Sequence, residues 1–225
     1  MLILAADTTT PGGSVALCRD ETLLGEANVD SAETHSARLF RSIDFLLGGL
    51  GLDVKEIDAF AVAAGPGSFT GIRIGLGAVK SLAFASGKPV APVSTLLALA
   101  TKLAADGTRL VCPLLDAKKG EIYAGLFESG PAGLAEIIPQ GAYAPDEFFA
   151  RLPAGQSVAF AGSGLAVYRS GLLARVGAGA RFPERSPFIA AEVGRIGARL
   201  LRAGRGVEAA TLEPLYFRRS QAEEP

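Results

Sequence analysis

The chain runs twice through one pattern, and that repetition constrains its fold more than any other feature. LILAAD carries an apolar run to Asp7, a turn rich in Thr, Pro and Gly follows, and SVALCRD returns. The second half opens the same way: RLVCPLLD ends at Asp116, AKKG turns, and EIYAGLFE returns. Short apolar runs bounded by turn residues read as strands. The halves share this pattern without sharing identity. Between and beyond them, TLLGEANVD, IDAFAVAAG, KPVAPVS, LAEIIPQG and VAFAGSG read as further strands. Helices are predicted at 36–50, where Leu39, Phe40, Ile43, Leu46, Leu47 and Leu50 recur with a 3.6-residue period, at 68–86, over TLLALATKLA, near 145–152, and after the small-residue turn at 162–164. The result is an α/β class with two related lobes of mixed sheets flanked by helices. The lobes are expected at 1–105 and 106–225, with the C-terminal tail a candidate to pack back on the first.

Composition narrows the function classes. With 225 residues there is room for a substantial core. A net charge of −1 offers no basic field for nucleic acid, so RNA contact is expected to be peripheral at most. Arg195, Arg199, Arg202, Arg205, Arg218 and Arg219 cluster near the end and read as a solvated helix face and tail. Cys18 and Cys112 sit far apart among small apolar residues, as thiols of a reducing compartment do. MLILAAD is too short for a leader or a membrane span, so a cytoplasmic location without membrane contact is expected. The mean hydropathy of +0.32 is high, and the surplus apolar surface must lie in the core or against another protein.

GPGSFTGIRIGLGAVKSLAFA, residues 65–85, looks like a phosphate loop at first sight. It lacks the Walker lysine, and Thr70 stands where a dinucleotide fingerprint has its third glycine. The helix N-terminus could hold an anion, or Ser68 or Thr70 could cap it without any ligand. Gly67, Gly71 and Gly75 recur every four residues, and Ala78, Ser81 and Ala85 extend a small-residue face. Each glycine inside a helix costs about 1 kcal/mol against alanine, which close approach of another backbone can offset. One side of this helix can rest on its own sheet; the other must meet the 36–50 helix, a partner chain, or both.

Catalytic side chains are sparse. His35 is the single histidine, and no Cys or His spacing suggests a metal site. Asp7, followed by Thr8 and Thr9, is the best candidate. At a strand end it either serves phosphoryl transfer through a magnesium–water network or forms a turn whose N–H groups its carboxylate accepts. Asp116 has the same two readings, with Lys118 and Lys119 beside it. Gly162, Ser163 and Gly164 form a second small-residue turn able to contact a phosphate.

LAADTTTPGGSVALC, HSARLFRSIDFLL, the 61–96 block AVAAGPGSFTGIRIGLGAVKSLAFASGKPVAPVSTL, LLDAKKGEIYAGLF and the late LEPLYFRRS together resemble the TsaB (YeaZ) family. The resemblance covers most of the first 130 residues and is loose from Pro131 until LEPLYFRRS. It implies the two-lobed ASKHA fold shared by acetate kinase and actin, and a non-catalytic role in forming N6-threonylcarbamoyladenosine at tRNA position 37. It also implies binding and stabilising of the paralogue TsaD as a heterodimer through helices 36–50 and 68–86, with TsaE joining through the complex and a homodimer when alone. On this reading Leu39, Phe40, Ile43, Leu47, Gly71, Ile72, Gly75, Ala78 and Val79 form the partner face. The chain itself is expected to require no cofactor, with ATP or ADP and a metal belonging to its partners. The H-x-x-x-H metal motif of TsaD-type chains falls here on Thr95 and Leu99, which cannot replace paired imidazoles. The rival expectation is an ATP-dependent small-molecule kinase or ATPase of the same superfamily using Asp7. A metalloprotease lacks its ligands.

Overall fold

Both sheets of the protein place their strands in one order, which carries the sequence duplication into topology. The computed structural model describes residues 1–10, 12–30, 34–105 and 107–217. The first sheet is built from Leu2–Asp7 (β1), Gly13–Arg19 (β2), Thr22–Val29 (β3), Ala59–Gly65 (β4) and Val90–Ser94 (β5), ordered β3-β2-β1-β4-β5. The second contains Leu110–Lys118 (β6), Glu121–Gly130 (β7), Gly133–Tyr143 (β8), Val158–Ala161 (β9) and Ala180–Arg181 (β10), ordered β8-β7-β6-β9-β10. In each, the first three strands form an antiparallel meander and the last two add in parallel.

Helices follow the same plan. His35–Leu50 (α1), Phe69–Ser86 (α2) and Thr95–Ala104 (α3) lie in the first half of the chain; Pro145–Arg151 (α4), Leu165–Val176 (α5) and Ala190–Arg202 (α6) lie in the second. In the first unit, Leu4, Leu17, Phe60 and Val62 of the sheet meet Leu39, Ile43, Leu46 and Leu47 of α1 and Ile72, Leu76 and Val79 of α2. Each such side chain taken fully from water contributes roughly 1.5–3 kcal/mol. In the second unit, Leu114, Ile122 and Leu126 pack with Phe148 and Phe149 of α4 and Leu172 and Val176 of α5. The Arg175 guanidinium closes the end of α4 by donating to the carbonyls of Phe149, Ala150 and Leu152 at 2.9–3.0 Å.

Two units result: residues 1–98 with 187–215, and residues 99–186 with 216–217. This differs from the expected division at 105/106, because α6 returns to the first sheet. Its Gly194 and Gly197 let it settle on Cys18, Ala5 and Ala61; a Cβ on either would come within 2.6 Å of Cys18 Sγ or 2.5 Å of Ala61 Cβ. On its outer side Arg199 and Arg202 donate to Glu21 at 2.7 and 3.1 Å. Arg218 and Arg219 lie outside the described residues. Cys18 and Cys112 are buried free thiols; burial pushes Cys18 up to about 11 and raises Cys112 further. Among the described residues no helix is long and apolar enough to cross a membrane.

Candidate functional site

β1 delivers Asp7 to its end with the side chain completely buried. Oδ1 accepts from Thr9 N at 2.8 Å and from Thr9 Oγ1 at 2.6 Å, and Oδ2 accepts from Thr10 Oγ1 at 3.4 Å. Thr95 Oγ1 of α3 donates to Thr9 Oγ1 at 3.2 Å. Burial raises the carboxyl above its usual range, against the lowering effect of the threonine hydrogen bonds. Of the two readings open at Asp7, this is the geometry of the turn-forming one.

The threonines that follow grip α2. Thr8 Oγ1 donates to Gly71 O at 2.6 Å, and Ser68 N donates to Thr9 O at 2.8 Å. Ser68 also caps the helix, its hydroxyl accepting from Gly71 N at 3.2 Å. A Cβ on Gly67 would lie 2.5 Å from Thr9 O, one on Gly71 would strike Thr8 O, and one on Gly75 would strike Thr8 Oγ1. The close approach that the glycine spacing predicts is therefore made by the chain's own turn. Gly71 and Gly75 face inward against Thr8.

The second unit repeats the turn in a more open setting. Asp116 Oδ1 accepts from Lys118 N at 2.8 Å, the same two-residue span as Asp7 to Thr9, and Oδ2 accepts from Lys118 Nζ at 2.8 Å. The Lys118 hydrogen bond holds the Asp116 carboxyl below its usual range. Ser163 Oγ accepts from Asp116 N at 3.3 Å, and Gly164 N donates to Leu114 O at 3.0 Å. Added Cβ atoms on Gly162 and Gly164 would strike Leu114. These glycines, too, admit a neighbouring strand of their own unit.

The rival expectation, a kinase or ATPase, would place a nucleotide and a divalent cation at these turns. A hydrated cation or phosphate needs polar atoms that it can reach. Thr8 and Thr9 are buried like Asp7, and their side-chain oxygens are engaged within the turn and with α2. As arranged, Asp7, Thr8 and Thr9 do not fit either group. Thr95 is buried and committed to Thr9, and Leu99 is buried. No cluster of three His, Cys, Asp or Glu side chains able to hold a metal occurs among the described residues.

The outer faces of α1 and α2 contrast with these closed turns. Leu39, Ile43, Leu47, Ile72, Ala78 and Val79, expected on a partner face, are buried in the core of the first unit. Of that set only Phe40 is exposed. The apolar surface that remains consists of side chains that the expectation left out: Phe45 is 76% exposed and Phe84 80%, with Leu50 and Phe69 also outward. Arg73 lies over the Phe69 ring at 4.0 Å. Gly48, Gly49 and Gly77 are helical and a Cβ on any of them would meet nothing within 4 Å. The signal was present in the helical period: Phe45 stands about 200° around the helix from Ile43.

Residues 29–223 match the family model of TsaD, tRNA N6-adenosine threonylcarbamoyltransferase. The tRNA threonylcarbamoyladenosine biosynthesis protein TsaB of Bacillus subtilis is 34% identical over 142 residues, 62% of this chain and 60% of that protein. The chain spans about 60% of the length of the curated relatives it matches. YeaZ from Pseudomonas aeruginosa superposes with a TM-score of 0.82 at 29% identity, covering 96% of this chain and 99% of that one. Component A of the Acidaminococcus fermentans (R)-2-hydroxyglutaryl-CoA dehydratase shares the fold alone, at TM-score 0.53 and 9% identity, over 88% of this chain and 98% of that one. The paired sheets flanked by helices are the ASKHA fold expected from the sequence.

Proposed function

The chain belongs to the family of TsaD, the tRNA N6-adenosine threonylcarbamoyltransferase, and from that premise we propose that it is a non-catalytic partner in forming the tRNA nucleoside N6-threonylcarbamoyladenosine. It binds and stabilises a TsaD-type chain through the outer faces of α1 and α2. The observation that carries this reading is the pair of outward phenylalanines, Phe45 and Phe84, on helices whose other faces are spent on the core. Isolated apolar residues on a surface are ordinary; large aromatics on neighbouring helices, beside exposed helical glycines, mark an interface. Relatives named TsaB support the pathway, and the closed Asp7 turn supports a role without chemistry.

Two side chains that leave water on binding and none on folding give a clean test. Truncating both, Phe45→Ala with Phe84→Ala, is expected to leave the melting temperature nearly unchanged. It should weaken association with a TsaD homologue at least tenfold, as truncation of side chains that act as interface hot spots, at about 1 kcal/mol or more each, does. Size-exclusion chromatography with light scattering on the mixture reads the complex. In the absence of that chain, the same faces close on a second copy as a two-fold homodimer. TsaE joins through the complex, tRNA touches this chain at most peripherally, and ATP or ADP with a metal belongs to the partners. The setting is the cytoplasm.

A further inference from the structure

The turn at Asp7 does not fit a phosphate, and its hydrogen bonds lead in one direction. Asp7 fixes Thr9 through both the amide and the hydroxyl. Thr9 O then receives Ser68 N, the cap residue of α2, and Thr8 Oγ1 reaches Gly71 O one turn into that helix. Thr95 Oγ1 supports Thr9 from α3. Gly67, Gly71 and Gly75 remove the side chains that would hold the turn away. A buried carboxylate, three hydroxyls and three glycines thus converge on the first two turns of one helix.

We infer that Asp7 is a positioning residue: through Thr8 and Thr9 it latches the N-terminal half of α2 in the pose that the docking face requires. The inference rests on the proposed docking role, because α2 carries Gly77 and Phe84 on its outer side. A helix held only by its apolar underside could slide or roll by a fraction of a turn. Directional bonds to Ser68 N and Gly71 O remove that freedom.

The test uses the full chain and pairs each disruptive variant with a conservative one. Asp7→Ala removes the acceptor for Thr9; Asp7→Asn keeps an oxygen at the Oδ1 position. Thr8→Ala removes the bond to Gly71 O and serves if Asp7→Ala does not fold; Thr8→Ser keeps the bond. Hydrogen exchange of the amides at 71–75 should quicken at least tenfold in the alanine variants, while amides of β7 in the other unit stay unchanged. Affinity for a TsaD homologue should fall at least tenfold in the same variants, and both readouts should return in Asp7→Asn and Thr8→Ser. Wild-type exchange at 71–75 in both alanine variants overturns the latch. Faster exchange with unaltered affinity overturns its role in docking. A wild-type chain that does not bind the homologue overturns the docking reading itself, and the exchange data still decide whether the latch exists.

Discussion

At the scale of single residues, Asp7 shows how burial and hydrogen bonding oppose one another. Three hydrogen bonds favour the carboxylate, yet desolvation outweighs them and raises the pKa. A raised folded-state pKa means that the folded chain binds the proton more tightly than the unfolded one. The stabilisation this gives is present at low pH and is lost as pH rises through the folded value. Asp7→Asn cannot ionise, keeps the acceptor for Thr9, and can donate to Thr10. Its melting temperature is therefore expected to exceed that of the wild type at about pH 8, with the advantage shrinking toward about pH 4; melts across that range check it. That Asp7 ends a strand and starts a turn was legible in LILAADTTT. Which of its two roles it plays was not, because burial depends on Thr95 and Ser68, far away in the chain.

At the scale of elements, α2 separates two kinds of helical glycine. Gly71 is packed against Thr8 O, and Gly71→Ala should destabilise by about 1–3 kcal/mol through overpacking. Gly77 faces open space, and Gly77→Ala should stabilise the isolated chain by up to about 1 kcal/mol through helix propensity alone. Denaturant titrations of the two variants should move in opposite directions. A spacing of four marks one helix face, and the sequence reading found that face without telling whether the visitor is the same chain or another. The same limit applies to α1. Leu39, Ile43 and Leu47 have the period of a buried face, and a buried face is what they form. Phe45, the most exposed apolar side chain of α1, is the one that breaks the period.

At the scale of the whole molecule, the duplication read from two Asp-turn segments reappears as two sheets of identical strand order. The meander strands were legible because each is bounded by its own turn residues. The tail was read as a candidate to pack back on the first lobe, but that α6 is the element that returns was not legible, because apart from Glu192 its buried face is made of Ala, Gly, Val and Ile, which could cover either sheet. A chain ending at Ser186 would leave Ala5, Ala61 and Ala91 of the first sheet uncovered. It should lose cooperative unfolding of the first unit in circular dichroism melts.

Docking through the outer faces of α1 and α2, with no chemistry at the chain's own turns, is the role proposed for this protein. Gly77→Trp tests it, since a Cβ there meets nothing within 4 Å in the folded chain, whereas a helix docked on that face would meet the indole. In calorimetric titration with a TsaD homologue, the wild type is expected to bind and Gly77→Trp to lose binding, with both chains melting alike. Unchanged binding by a folded Gly77→Trp would contradict it.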